Sequence, residues 1–88
     1  MDTTTNIFVQ AGTWVNLYSE SEITVGTQIH VENLSEAYNA RLVTSATEPD
    51  GSGFANLPPL EVRSNLSGAT GAWIWCEHSI AVNVSEAP

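Results

Sequence analysis

The chain has 88 residues, of which 42% are hydrophobic and 14% are charged, and its formal net charge is −8. This length fits one small domain, and a single cysteine, Cys76, excludes an intramolecular disulfide. With ten acidic residues against two arginines, we expect no binding to nucleic acid and none to an anionic membrane.

The amino-terminal segment carries no basic residue and no long apolar run follows it, so we expect no secretory signal. No window approaches the roughly 18 apolar residues that a membrane-spanning helix needs. We therefore expect one domain over residues 1–88, made in the cytoplasm, with residues 1–5 as a flexible arm.

Apolar and polar residues alternate along much of the chain, which is typical of β-strands that have one face on a core. The clearest alternation runs from Ile23 to Val31, and another places Ile80, Val82 and Val84 on one side of the last strand. In chain order, the predicted strands are residues 7–10, 13–18, 23–31, 38–46, 60–63, 72–77 and 80–85.

Residues typical of turns separate these strands. Ala11-Gly12 separates the first two strands, and residues 48–53 combine Pro with Asp-Gly. Pro58-Pro59 excludes a helix or central strand at that point. Residues 64–71 are rich in Ser, Asn and Gly. The one helical feature predicted is a single turn at Ser35-Glu36-Ala37. Turn signals at this spacing predict an all-β fold, a small antiparallel sandwich or barrel of about six to eight short strands.

The segment Ala72-Trp73-Ile74-Trp75-Cys76-Glu77-His78 carries apolar bulk on both faces of a strand. Three interpretations stay open: the tryptophans form the core, they face a protein partner, or they form a platform for a ligand. An 88-residue chain has little material to cover a second apolar face, and Trp is enriched at interface hot spots. The candidate interface residues are therefore Trp73 and Trp75, followed by Trp14 and Tyr18.

Two pairs of side chains have ligand-type spacing on a strand, Cys76 with His78 and His30 with Glu32. They would converge on a metal only if their strands paired, and the compact spacings of zinc modules are missing. A Cys-His dyad would lack a third, orienting group. We expect a buried, inert cysteine, no metal or cofactor, no catalytic residue and no enzymatic activity.

Five features in order, after a Thr-rich start, resemble a set of small β-rich virion proteins encoded among the structural genes of tailed bacteriophages. These features span nearly the whole chain: Gly12-Thr13-Trp14-Val15, a glycine-interrupted strand from Val25 to Asn33, residues 45–49, Leu57-Pro58-Pro59-Leu60 and Gly71-Ala72-Trp73.

The resemblance implies a structural virion component without catalysis that binds other virion proteins and associates with its own copies. Decoration or cementing of the capsid is the first expectation, and an accessory role in the neck, tail or fibre is the alternative. Outside this resemblance, the alternative is a small β-sandwich that binds carbohydrate or a host receptor, because aromatic side chains stack on sugar rings.

Overall fold

The structure, a computed structural model, describes residues 4–49, 55–64 and 71–86. These residues form eight strands and one short helix: β1 (Thr4–Val9), β2 (Val15–Asn16), α1 (Leu17–Ser21), β3 (Ile29–Asn33), β4 (Ala40–Val43), β5 (Ala55–Leu57), β6 (Val62–Ser64), β7 (Trp73–Trp75) and β8 (Ile80–Glu86).

The strands form two four-stranded antiparallel sheets that pack together as a small sandwich. Sheet A has the order β1-β8-β3-β6, and sheet B has the order β2-β7-β4-β5. The predicted all-β class is confirmed. Helix α1 contacts both β1 and β2, so it closes the side of the core between these two edge strands.

The core lies between the sheets and consists mainly of alternate strand residues, although β6, whose three residues are all exposed, contributes none. In β8, Ile80, Val82 and Val84 are buried, as their alternation predicts. Buried aliphatic side chains from both sheets and from α1 complete one cluster. Its other large members include Ile7, Val9, Ile29 and Val31 from sheet A, Leu57 and Ile74 from sheet B, and Leu17 and Tyr18 from α1.

The predicted strand over residues 13–18 is wrong beyond β2, because the chain turns into α1 there. The side-chain oxygen of Asn16 accepts hydrogen bonds from the backbone N–H groups of Tyr18 and Ser19, at 3.1 and 3.2 Å. These bonds satisfy donors that the first helical turn leaves free. Glu22, in the left-handed conformation (φ 62°), ends the helix.

The predicted strand over residues 23–31 is correct only over its last three residues, 29–31, which begin β3. Gly26 has a φ of +99°, and the Thr27 N–H donates to the Thr24 carbonyl oxygen at 3.1 Å. The segment before β3 is therefore a turn. Val25, which the alternation places inside, is 56% exposed.

Three smaller expectations concern the ends and loops. Strand β1 begins at Thr4, so residues 4 and 5 do not form a flexible arm, and residues 1–3 lie outside the described part. The predicted helical turn at Ser35-Glu36-Ala37 is wrong: the Ser35 hydroxyl accepts from the backbone N–H groups of Ala37 and Tyr38 and forms a non-helical turn. Residues 50–53 of the predicted turn and 65–70 of the predicted loop also lie outside the described residues.

Candidate binding face

The outer face of sheet B carries two of the chain's three tryptophans. Ile74, the middle residue of β7, is fully buried in the core. Because side chains alternate along a strand, Trp73 and Trp75 point to the opposite side, where both are partly buried. Val43 lies opposite Trp73 and Arg41 opposite Trp75. We call the surface formed by Trp14, Arg41, Val43, Trp73 and Trp75 the aromatic face.

The indole of Trp73 is held in place by the backbone beneath it. Its Nε1–H donates to the Ser45 carbonyl oxygen at 3.1 Å, and the Ser45 N–H donates to the Gly71 carbonyl oxygen at 3.3 Å. Gly71 approaches Ser45 so closely that a Cβ at position 71 would overlap the Ser45 carbonyl oxygen. A glycine is therefore required for the close approach that positions this ring.

Trp75 is the centre of the aromatic face. The Arg41 guanidinium carbon lies 4.6 Å from the Trp75 ring centroid, within the range of a cation–π contact. Trp14, one residue before β2, has its ring centroid 6.3 Å from that of Trp75, at an interplanar angle of 42°. This is a tilted aromatic pair of ordinary geometry. The three side chains thus fix one another while remaining partly accessible.

A groove of about 450 Å³ borders the aromatic face. Its volume falls within the roughly 300–1,000 Å³ usual for small-molecule sites. Tyr38 and His78 form a stacked pair on its wall, with centroids 4.0 Å apart and planes 21° apart. Polar groups that can donate or accept hydrogen bonds complete the lining, which includes Asn39, Arg41, Asn56, Trp75 and Glu77.

The wall of the groove is anchored by Asn33, a fully buried residue at the end of β3. Its side-chain nitrogen donates to the Tyr38 and Leu57 carbonyl oxygens at 2.8 and 3.0 Å, and its side-chain oxygen accepts from the Ser35 N–H at 2.9 Å. The Cys76 thiol donates to the carbonyl oxygen of Asn39, the residue after Tyr38, at 3.3 Å. Asn33 therefore links β3 of sheet A to β5 and to the segment before β4 of sheet B.

The candidate residues chosen from the sequence divide into two groups. Trp14, Trp73 and Trp75 come together on the aromatic face, so the interpretation that the tryptophans form the main core is wrong. Tyr18 does not join them. It is 3% exposed, and its hydroxyl donates to the Thr27 carbonyl oxygen at 2.5 Å, because α1 turns it into the core. A partner cannot reach its ring, and we leave it out of the candidate face.

In the part of the chain that the structure describes, three large apolar side chains are exposed at positions outside the candidate interface residues chosen from the sequence. Phe8 is 67% exposed, Leu60 59% and Val62 51%, and Phe8 and Val62 lie in the two edge strands of sheet A. Leu60 adopts the left-handed conformation (φ 62°) directly after Pro58-Pro59. For Phe8, the polar residues at positions 6 and 10 were a usable signal, since they mark its side of β1 as the solvent side.

The two pairs of residues with ligand-type spacing do not converge. His30 and Glu32 belong to β3 in sheet A, whereas Cys76 and His78 follow β7 in sheet B. The His30 Nδ1 lies 2.7 Å from the Ser64 hydroxyl oxygen. Among residues 4–49, 55–64 and 71–86, no three His, Cys, Asp or Glu side chains are grouped as a metal site requires. In the same ranges, no helix has the length and apolar character to cross a bilayer.

Comparison with models of known protein families, with characterised proteins and with solved structures found no match. The candidate face and the groove are therefore interpreted on their own geometry.

Proposed function

We propose that this chain is a non-enzymatic structural module that binds a protein partner through the aromatic face. The observation that carries the proposal is that Trp73 and Trp75 are partly exposed and yet held in fixed positions by Ser45, Arg41 and Trp14. A rigid aromatic surface loses little conformational entropy on binding. Tryptophan and arginine are also the residues most enriched at interface hot spots.

The charge distribution supports a protein partner. The aromatic face has one ionic side chain, Arg41, already placed over Trp75, so covering it desolvates few charges. The net charge of −8 lies mainly elsewhere and steers the module towards a basic surface at low ionic strength. A partner with an apolar centre and a basic rim fits both properties.

The setting we propose is a bacteriophage virion, with the capsid exterior ahead of the neck, tail or fibre. The order of sequence features supports this setting, from Gly12-Thr13-Trp14-Val15 to Gly71-Ala72-Trp73. A small sandwich that presents one rigid face also suits repeated binding to a lattice, where modest contacts are multiplied by avidity. Copies of the chain are expected to associate with one another as well as with other virion proteins.

The first test is whether a major capsid protein is encoded beside this chain, and the second is co-sedimentation with particles assembled from that protein. We expect Trp75→Ala to weaken binding by at least about tenfold, the loss typical of a hot-spot residue. Val25→Ser, which removes an apolar side chain that is 56% exposed in the turn before β3, is the control and should bind like the parent chain. Equal binding by the parent chain and the folded Trp75→Ala variant would contradict the role of the aromatic face. Neighbouring genes without capsid, portal or terminase functions would contradict the virion setting.

The groove favours a second candidate function, the binding of a neutral carbohydrate. Tyr38 offers an aromatic surface, and Asn39, Asn56 and Glu77 offer donors and acceptors for hydroxyl groups. A groove that contains both Arg41 and Glu77 has no strong preference for either sign of ligand charge. Titration with soluble glycans, followed by tryptophan fluorescence, tests this function. Saturable quenching that Tyr38→Ala abolishes would support it, and no change with any glycan would remove it.

A further inference from the structure

Strand β1 forms an edge of sheet A, with β8 on one side and no strand of the described residues on the other. Its sequence, Thr-Thr-Asn-Ile-Phe-Val, contains no charged residue and no proline. Natural sheets protect their edges with lysine, proline, bulges, very short strands or a covering helix or loop. Strand β1 has six residues with unbroken pairing to β8 and none of the first four protections. Helix α1 contacts β1, but its Leu17 and Tyr18 side chains pack into the core between the sheets.

The hydrogen bonds of β8 identify which main-chain groups of β1 point away from β8. The Leu34 N–H donates to the Ala81 carbonyl oxygen at 3.0 Å, so the polar groups of Ala81 face β3 and turn away from β1. Ala81 lies opposite Phe8, which makes this a non-hydrogen-bonded pair of the β1–β8 ladder. The N–H and C=O of Phe8 therefore point to the open edge. By alternation, those of Thr4 and Asn6 do the same.

We propose that β1 of a second copy of this chain occupies this edge, antiparallel, about a two-fold axis beside Asn6. In this register, Asn6 lies opposite Asn6 of the second copy, and Thr4 lies opposite its Phe8. Each of these pairs exchanges both main-chain hydrogen bonds, so all outward groups of the three residues are used. Registers shifted in either direction leave some of these groups without a partner.

Two side chains of β1 suit this register. The Asn83 side-chain nitrogen donates to the Asn6 side-chain oxygen at 2.8 Å, which holds the Asn6 amide beside the axis, where it can donate to Asn6 of the second copy. Phe8, 67% exposed, lies on the outer face at each end of the new ladder and loses exposed area against the second strand. The favourable terms are thus main-chain pairing and the burial of one ring per copy.

A second copy pairs with every outward main-chain group of Thr4, Asn6 and Phe8, and the two-fold register also covers the exposed Phe8 ring of both copies. This inference rests on the self-association included in the proposed function and identifies the strand responsible. Each copy brings a charge of −8 to the pair, so repulsion between copies opposes the dimer. Added salt screens that repulsion. The dimerisation constant is therefore expected to rise as NaCl is increased from about 0.05 to 0.3 M, whereas the rate of association with a basic partner should fall.

The direct test is amide hydrogen exchange, measured by NMR across a concentration series. The N–H groups of Thr5, Ile7 and Val9 point to β8 and should be protected at every concentration. Those of Asn6 and Phe8 should exchange fast in dilute solution and slow by at least about tenfold as the dimer forms. Rates for Asn6 and Phe8 that do not depend on concentration would overturn the proposal.

A pair of variants tests the edge by sedimentation velocity. Asn6→Pro removes an N–H that β8 does not use, so an edge position tolerates it, and dimerisation should weaken by at least about tenfold. Asn83→Ser removes the same Asn6 side-chain hydrogen bond but leaves the edge intact, and its dimer should persist. Equal dimerisation by folded Asn6→Pro and the parent chain would overturn the register. If Asn6→Pro does not fold, the exchange measurement on the parent chain decides.

The failure of this inference can be told apart from the failure of the proposed function. A chain that remains monomeric but still binds capsid particles through Trp75 would overturn the β1 pairing alone. A chain that dimerises as described, and whose Trp75→Ala variant binds particles like the parent chain, would overturn the docking face alone.

Discussion

The outer faces of the two sheets both carry aromatic side chains, but they hold them in different ways. On sheet B, Trp73 donates a hydrogen bond to Ser45 and Trp75 lies between Arg41 and Trp14. On sheet A, Phe8 is 67% exposed and lies opposite Ala81, a small residue. One face is a pre-formed surface, and the other presents a single ring beside an open strand edge.

A ring that is held rigidly and a ring that is merely exposed are therefore suited to different kinds of contact. A ring fixed by its neighbours offers a defined shape to a partner, and its removal disturbs the fold as well as the binding. A ring with little support contributes almost nothing to the fold of the isolated chain. Substitutions that release the rings of the aromatic face should therefore lower the free energy of unfolding of the isolated chain, whereas substitution of Phe8 should leave it nearly unchanged.

Gly71→Ala should have the largest effect, because its Cβ would overlap the Ser45 carbonyl oxygen. Ser45 can move only with the backbone that accepts the Trp73 hydrogen bond. We expect a loss of about 3 kcal/mol in the free energy of unfolding, measured by urea denaturation. The matched control is Gly12→Ala, where φ is +73° but a Cβ meets nothing within 4 Å, and which should cost about 1 kcal/mol. Equal losses at the two glycines would show that the Ser45 contact does not fix the aromatic face.

Asn33→Ala should follow, with a loss of about 2 to 3 kcal/mol, because buried groups left without partners are costly. The Tyr38 and Leu57 carbonyl oxygens and the Ser35 N–H would all lose the Asn33 side chain. Asn83→Ala, which removes an exposed amide pair with Asn6, is the control and should cost less than about 0.5 kcal/mol. Urea denaturation measures both, and similar values would contradict the view that Asn33 joins the two sheets.

Part of this architecture follows from local sequence alone. The alternation of Ile80, Val82 and Val84 predicts the buried side of β8, because period two in one strand needs no knowledge of its partners. The apolar residues on both faces of β7 likewise predict a core on one side, which Ile74 enters, but they leave open whether Ile74 or the two tryptophans point into it. Pro58-Pro59 correctly places a turn after β5, since a proline lacks the N–H that a central strand must donate.

The rest depends on contacts between residues far apart in the chain. Asn16 starts α1 through local bonds to residues 18 and 19, but asparagine is also common in turns, and the helix is favoured here because Leu17 and Tyr18 reach core residues from distant strands. The pairing of β7 with both β2 and β4 brings Arg41 to Trp75, and no local pattern encodes that register. The importance of Asn33 is hidden for the same reason, because one of the two backbone carbonyl oxygens that accept from its side chain belongs to Leu57, 24 residues away.

Trp73→Phe tests whether the hydrogen bond from Trp73 to Ser45 stabilises the aromatic face of sheet B. Phenylalanine keeps an aromatic ring but has no N–H for the Ser45 carbonyl oxygen, so we expect a loss of about 1 kcal/mol. The ring should also become more mobile relative to the sheet. Urea denaturation gives the first quantity, and NMR line shapes of the residue 73 ring give the second. An unchanged free energy of unfolding would mean that the hydrogen bond to Ser45 does not stabilise the face.

Phe8→Ser should have the smallest effect on the isolated chain, below about 0.5 kcal/mol, because a ring that is mostly exposed loses little area on folding. The measurement must be made at concentrations where the parent chain is monomeric, since any dimer would add the stability of β1 pairing to the parent value. A loss above about 1 kcal/mol in dilute solution would mean that Phe8 packs on its own chain. In that case the open edge of sheet A would be as rigid as the aromatic face, and the contrast between the two sheets would disappear.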